Sequence, residues 1–271
     1  MTAPGGWRVV AHNTATQSQN KIHDDSVARQ YGFRGGLVPG VDDYAYLTHV
    51  PAELWGLEWL ERGTLDARFH QPVYEGDEVE VRPGPIERTD GGESFTLELL
   101  GPDGTVCATG MAGLPVESVA GMTRPHEAFV PLPEPPPAAT SQSLAVGTVF
   151  SLPTRPVEPD GQERYRADVR DDLAVYGAEG IAHPGWILRL ANRILAGNVA
   201  LGPWIHVSSD VQHRGLARDG DHVGGRSNVT AEWEHKGHRF VTLDVQIVSI
   251  AASTETVVAS IAHTAIYQPR G

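Results

Sequence analysis

The chain has 271 residues, 40% hydrophobic, 20% charged and 7% aromatic, the composition of an ordinary globular protein with room for one large core or two modest ones. Its 34 acidic residues against 21 Lys and Arg give a formal net charge of -13, which argues against nucleic acid or an anionic membrane as the main partner. The single cysteine, Cys107, excludes an internal disulfide and a cysteine-based zinc or iron–sulfur site, so a reducing, cytoplasmic location is expected.

In chain order, Met1-Thr2-Ala3-Pro4-Gly5-Gly6 lacks the basic-then-apolar order of a signal peptide, and no apolar run approaches the roughly 20 residues of a membrane span. The segment Tyr31-Gly32-Phe33-Arg34-Gly35-Gly36-Leu37-Val38-Pro39-Gly40 precedes a helical spacing at Val41, Tyr44, Ala45 and Thr48, which predicts a short helix interrupted by Pro51. The apolar period then changes to two, predicting strands over 65–70, 78–81, 95–99 and 106–108. From 116 to 144 the chain reads as a proline-rich linker holding Pro131, Pro133 and Pro135 to Pro137, followed by Pro153, Pro156 and Pro159. Val146, Val149, Phe150 and Leu152 suit an edge strand.

The second half restates the first. Tyr176-Gly177-Ala178-Glu179-Gly180-Ile181-Ala182-His183-Pro184-Gly185 aligns without gaps on Tyr31 to Gly40, sharing the Tyr, two glycines, the Pro and the Gly. A single apolar face at Ile187, Leu190, Ala191, Ile194 and Leu195 predicts a helix with Pro184 in its first turn and Gly197-Asn198 at its end. Strands follow over 205–213, 229–233, 241–247 and 257–261, with Lys236-Gly237 as a turn. Along the first of these, alternation places His206 and Asp210 on one face and His213 on the other. The expected architecture is α+β, two repeats over 1–115 and 145–271, each an antiparallel sheet wrapped around a central helix.

Asn20-Lys21-Ile22-His23-Asp24-Asp25, Ala28, Gly32-Phe33, Leu37 and Gly40, with Arg68-Phe69-His70-Gln71-Pro72-Val73-Tyr74-Glu75-Gly76-Asp77, resemble the MaoC-like family of (R)-specific enoyl-thioester hydratases and 3-hydroxyacyl-thioester dehydratases. The resemblance covers about residues 10–113 and implies a double hot dog fold. It places His23 on the catalytic histidine, Asn20 on the motif asparagine, and Gly40 on the helix-start glycine whose N–H faces the thioester oxygen. Ser18 stands where the family has its catalytic Asp, Lys21 replaces a proline and Gln17 a glycine. Val169-Arg170-Asp171-Asp172 echoes the His23 region with Arg170 near the place of a second histidine, so the second site reads as lost.

Moving a proton off one carbon while a hydroxyl leaves the next needs an acid and a base, and serine is no base near pH 7. Asp24, Asp25, Asp42 and Asp43 are the carboxylates near enough in sequence to replace the missing one. Asp42 and Asp43 also suit a helix start by charge alone. His183 and Trp186, at the matching helix start of the second repeat, are candidate pocket residues. No His-Glu-x-x-His, Gly-x-Ser-x-Gly, Gly-x-Gly-x-x-Gly or Gly-Lys-Ser/Thr motif occurs, and neither a metal nor a cofactor is expected. Three readings stay open: a hydratase or dehydratase acting on an acyl thioester of CoA or a carrier protein, a hot dog thioesterase, and a non-catalytic binder of an acyl or other apolar ligand. The chain supplies both halves of a pseudo-dimer, so a monomer and a homodimer are both compatible with it.

Overall fold

Each half of the chain lays a helix against a long antiparallel meander, in a computed structural model that describes residues 3–117 and 129–270. The first half contains β1 (Trp7–Val10), a 3₁₀ turn (Lys21–His23), α1 (Asp25–Gln30), α2 (Gly40–Arg62), β2 (Thr64–Phe69), β3 (Glu78–Pro83), β4 (Glu87–Thr89), β5 (Gly92–Leu100) and β6 (Val106–Pro115). The second contains β7 (Val149–Pro156), α3 (Pro159–Asp168), α4 (Ala174–Glu179), α5 (Pro184–Asn198), β8 (Ile205–His213), β9 (His222–His235), β10 (His238–Ala251) and β11 (Thr254–Gln268). The strands form one sheet in the order β1-β3-β5-β6-β2-β8-β11-β10-β9-β7, with β4 added beside β5. Read outward from the β2–β8 junction, the two halves run in the same order, which is the double hot dog architecture.

The junction is a true ladder. Leu65 pairs with Val211, Asp66 with Asp210 and Ala67 with Ser209, so the backbone groups that a lone repeat would leave exposed on β2 are satisfied by the other repeat. On the inner side α2 and α5 pack on each other and on the sheet. Helix α5 is amphipathic, burying Ile187, Leu190, Ala191, Ile194 and Leu195. Helix α2 is buried on most sides, from Val41 through Ala52, because it lies between the sheet and the second helix.

Two local expectations are corrected. Helix α2 continues through Pro51 and breaks instead at Gly56, whose φ of 56° and ψ of -139° no helix accommodates; the buried flanks at Val50 and Ala52 hold the turn that proline weakens. Pro159 opens α3, where its missing N–H would be unbonded anyway. In β8 a bulge follows His206: Ala265 pairs with His206 and Thr264 with Ser208, leaving Val207 as the extra residue. The bulge turns His206 onto the buried face with Ser209, Val211 and His213, while Asp210 is exposed beside Arg68.

Part of the proline-rich segment, 118–128, lies outside the described residues. The remainder packs on the second repeat: Ala200 N–H donates to the Pro137 carbonyl at 2.7 Å, Ala139 N–H to the Ala200 carbonyl at 3.0 Å, and Leu144 is buried. Of the apolar run after it, Val149, Phe150 and Leu152 lie in edge strand β7, while Val146 is exposed ahead of it. Among the described residues no helix is long and apolar enough to cross a membrane.

Candidate functional site

The start of α2 faces the entry to β8, and between them lies a cavity of about 230 Å³. The first repeat contributes Asn20, His23, Gly40 and Asp43 to its wall, and the second contributes Asn192, Trp204 and His206. A larger chamber of about 550 Å³ shares Asn20, His23, Pro39, Asn192 and Trp204 with it and extends along α5 past Arg189 and Arg193. His23 therefore borders both spaces.

Asn20 is the staple between the repeats. Its amide nitrogen donates to the Trp204 carbonyl at 2.9 Å, and its oxygen accepts from the Trp204 N–H at 3.2 Å. The same nitrogen lies 3.3 Å from His23 Nε2. His23 Nδ1 is 2.7 Å from the Leu37 carbonyl. A carbonyl only accepts, so the proton sits on Nδ1 and Nε2 keeps its lone pair. Burial lowers the pKa of this imidazole, an effect only partly offset by the Leu37 hydrogen bond and the charge of Asp42. His23 is a neutral base at neutral pH.

Asp43 lines the smaller cavity with it. The side chain is buried and leaves Oδ1 without a hydrogen-bond partner. Burial, with the neighbouring Asp42 charge, pushes its pKa well above the usual carboxylate range. Two groups whose environments drive their pKa values in opposite directions in one cavity are a ready acid–base pair. Beside them the first N–H groups of α2, on Gly40 and Val41, have no intrahelical acceptor and suit an oxygen that gains negative charge. Gly40 is required by close approach: a Cβ there would lie 2.9 Å from Nδ1 of His206.

Asp42 and Asp43 are adjacent in sequence but differ in surroundings. Asp42 accepts from Arg189 at 2.7 Å, Thr14 at 2.6 Å and the Tyr165 hydroxyl at 3.2 Å. It is an ion-paired residue that ties α2 to α5 and adds its charge near His23. Ser18 borders the larger chamber, and its hydroxyl donates to the Asn20 carbonyl at 3.0 Å, supporting the loop.

Four expected site residues lie elsewhere. Asp24 caps α1 by accepting from the N–H groups of Ser26 and Val27, and Asp25 accepts from the Gly36 N–H and from Arg29. Following His23 directly, they point into the next helix start rather than to the cavity. His183 is fully buried, with Nδ1 accepting from the Gly185 N–H and Nε2 donating to Asp171, which also accepts from His49. Burial alone would raise the pKa of Asp171, but these two imidazole donors hold it well below the usual range. None of these three residues lines either chamber. Trp186 packs against the main core and lines neither chamber.

Sequence reasoning misses His206 and Asn192. His206 Nε2 is 2.8 Å from Ser209 Oγ, which is 3.0 Å from His263 Nδ1. Burial drives both imidazoles down, His263 to about 3. The bulge at Val207 hides His206 from any alternation count. Asn192 sits one position past the apolar stripe of α5, a position that reads as solvent-facing until α2 is packed beside it. Among the described residues no three His, Cys, Asp or Glu side chains converge as metal ligands.

No family model matches the sequence, and no curated protein matches it either. Solved structures do share its fold. A Chloroflexus aurantiacus MaoC domain protein described as a dehydratase matches at TM-score 0.64 and 12% identity, over 100% of this chain and 97% of its own. A Mycobacterium tuberculosis protein with a double hotdog fold matches at 0.63 and 12%, over 98% and 96%. A Novosphingobium aromaticivorans protein described as a thioesterase matches at 0.54 and 11%, over 97% and 96%.

Proposed function

We propose that this double hot dog chain, which shares its fold with MaoC-like dehydratases, is a hydro-lyase that interconverts an enoyl thioester and a 3-hydroxyacyl thioester. The observation that carries the reading is the placement, on one cavity wall, of an imidazole whose Nε2 is an acceptor and a buried carboxyl whose Oδ1 has no hydrogen-bond partner and whose pKa burial raises. In the dehydration direction His23 Nε2 removes the α proton. The electron pair moves into the thioester, whose oxygen faces the N–H groups at the start of α2. It then returns to form the double bond as the 3-hydroxyl leaves with the Asp43 proton as water. Hydration runs the same steps backwards.

Hydrolysis is the second reading, favoured by one neighbour of thioesterase description and by a carboxyl on the central helix. It needs Asp43 ionised as base or nucleophile, and the burial of Asp43 opposes that. Crotonyl-CoA and a longer enoyl-CoA separate the readings when enoyl absorbance and released thiol are followed together. Loss of absorbance without thiol is expected, with His23→Ala and Asp43→Asn each lowering the rate on the order of 10²–10⁴-fold. Thiol release without hydration assigns hydrolysis, and binding without either product assigns a non-catalytic acyl binder.

A further inference from the structure

Among the described residues, Arg193 has no counter-ion. Helix α5 carries Arg189 and Arg193 one turn apart on the wall of the larger chamber, a like-charge spacing that weakens a helix. Arg189 is compensated by Asp42 at 2.7 Å. Arg193 is half-buried, and among the described residues it makes no ion pair and no side-chain hydrogen bond. Burial first, and then the charges of Arg155 and Arg189, lower its pKa. In a chain of net charge -13, with 34 acidic residues available, Arg189 and Arg193 both line this chamber, and among the described residues only Arg189 has a carboxylate partner. Helix stability does not account for it.

We infer that the larger chamber binds an anionic group of the ligand, a carboxylate or a phosphate, against the Arg193 guanidinium. The planar fork of arginine suits both oxyanions, and partial burial strengthens the pair by excluding water. Thr14, Gln17, Ser18 and Gln19 also line the chamber with uncharged hydrogen-bonding side chains, and Ala196, Val199 and Leu201 line it with apolar ones that suit the apolar part of a chain. His23 borders both chambers, so a thioester at His23 has one arm in each, and the arm in the larger chamber carries the anion. The inference rests on the thioester reading only for what that arm is: the end of an acid-bearing acyl chain, or the phosphate of the carrier.

Calorimetric titration of the intact protein with butyryl-CoA, glutaryl-N-acetylcysteamine and the neutral butyryl-N-acetylcysteamine tests it without requiring turnover. Arg193→Gln is expected to weaken one anionic probe about tenfold or more and to leave the neutral probe within twofold. Loss for butyryl-CoA assigns the phosphate, and loss for the glutaryl probe assigns the carboxylate. Arg82→Gln, on the exposed edge of β3, controls for a change in overall charge and should alter nothing. Equal binding of every probe by the wild type and Arg193→Gln overturns the inference. Glutarate and inorganic pyrophosphate titrated alone separate its failure from that of the thioester reading. If either binds and Arg193→Gln removes that binding, the anion subsite stands even where no thioester is taken; if neither binds and no anionic probe is held, the subsite is refuted.

Discussion

At the scale of the residue, one carbonyl makes a base of His23. The Leu37 oxygen fixes the proton on Nδ1, and burial keeps the ring neutral. The pH dependence follows from the signs. The His23 pKa lies below its ordinary value, so kcat/KM rises as pH climbs through that lowered value. The Asp43 pKa lies well above its ordinary value, so kcat/KM falls again when pH rises through it. A bell-shaped profile whose alkaline limb disappears in Asp43→Asn is the expected result, and an unchanged limb in that variant removes Asp43 from the mechanism. The two adjacent carboxylates should also separate in unfolding experiments. Asp42→Asn breaks a buried ion pair and should cost about 3–5 kcal/mol in urea unfolding. Asp43→Asn removes a carboxyl that lacks a partner on Oδ1 and should leave stability near that of the wild type.

At the scale of the element, the cleft depends on how closely α2 and α5 cross. A Cβ on Gly185 would lie 2.6 Å from Ala45 Cβ and 2.4 Å from the Tyr165 hydroxyl, so no side chain fits at that crossing. Gly185→Ala should wedge the helices apart at a cost of about 1–3 kcal/mol. It should also raise KM, because Asn192 and Arg189 ride on the displaced helix. Gly197 near the end of the same helix meets only Leu132 at an ordinary 3.5 Å. Gly197→Ala should therefore stabilise by up to about 1 kcal/mol through helix propensity. Thermal melts of the pair with the same sign of change would show that the crossing leaves room for a methyl group at position 185.

At the scale of the whole molecule, the fused sheet buries three histidines. His206, His213 and His263 are buried, with the last two pushed down to about 4 and about 3. The unfolded chain takes up a proton at each near pH 6.5, and the folded chain does not. Stability from these groups is thus full above pH 6.5 and is lost as pH falls toward the folded values. His213 makes edge contact with Trp59 and leaves Nε2 unpartnered. His213→Gln should shrink the loss of unfolding free energy between pH 7 and pH 5 by about 2 kcal/mol. A loss identical to that of the wild type would mean that this imidazole is already charged in the fold.

The amino-acid sequence by itself determined the helix and meander twice over, because periods of 3.6 and 2 and an ungapped Tyr-Gly to Pro-Gly repeat are local properties. It also placed Asn20, His23 and Gly40 together, since the loop and helix start that carry them lie within about 20 residues of chain. Only the tertiary structure decided which of the helix-start carboxylates lines the cavity that His23 borders. Asp42 and Asp43 have the same local signal, and their difference comes from Arg189, 147 residues away, which pairs with one and leaves the other dry. The same holds for His206, whose direction is set by a bulge against β11, and for His183, drawn into a network with Asp171 and His49. Burial and charge pairing are settled by packing between distant segments, and a carboxylate or imidazole carries no mark in sequence of the partner it will meet.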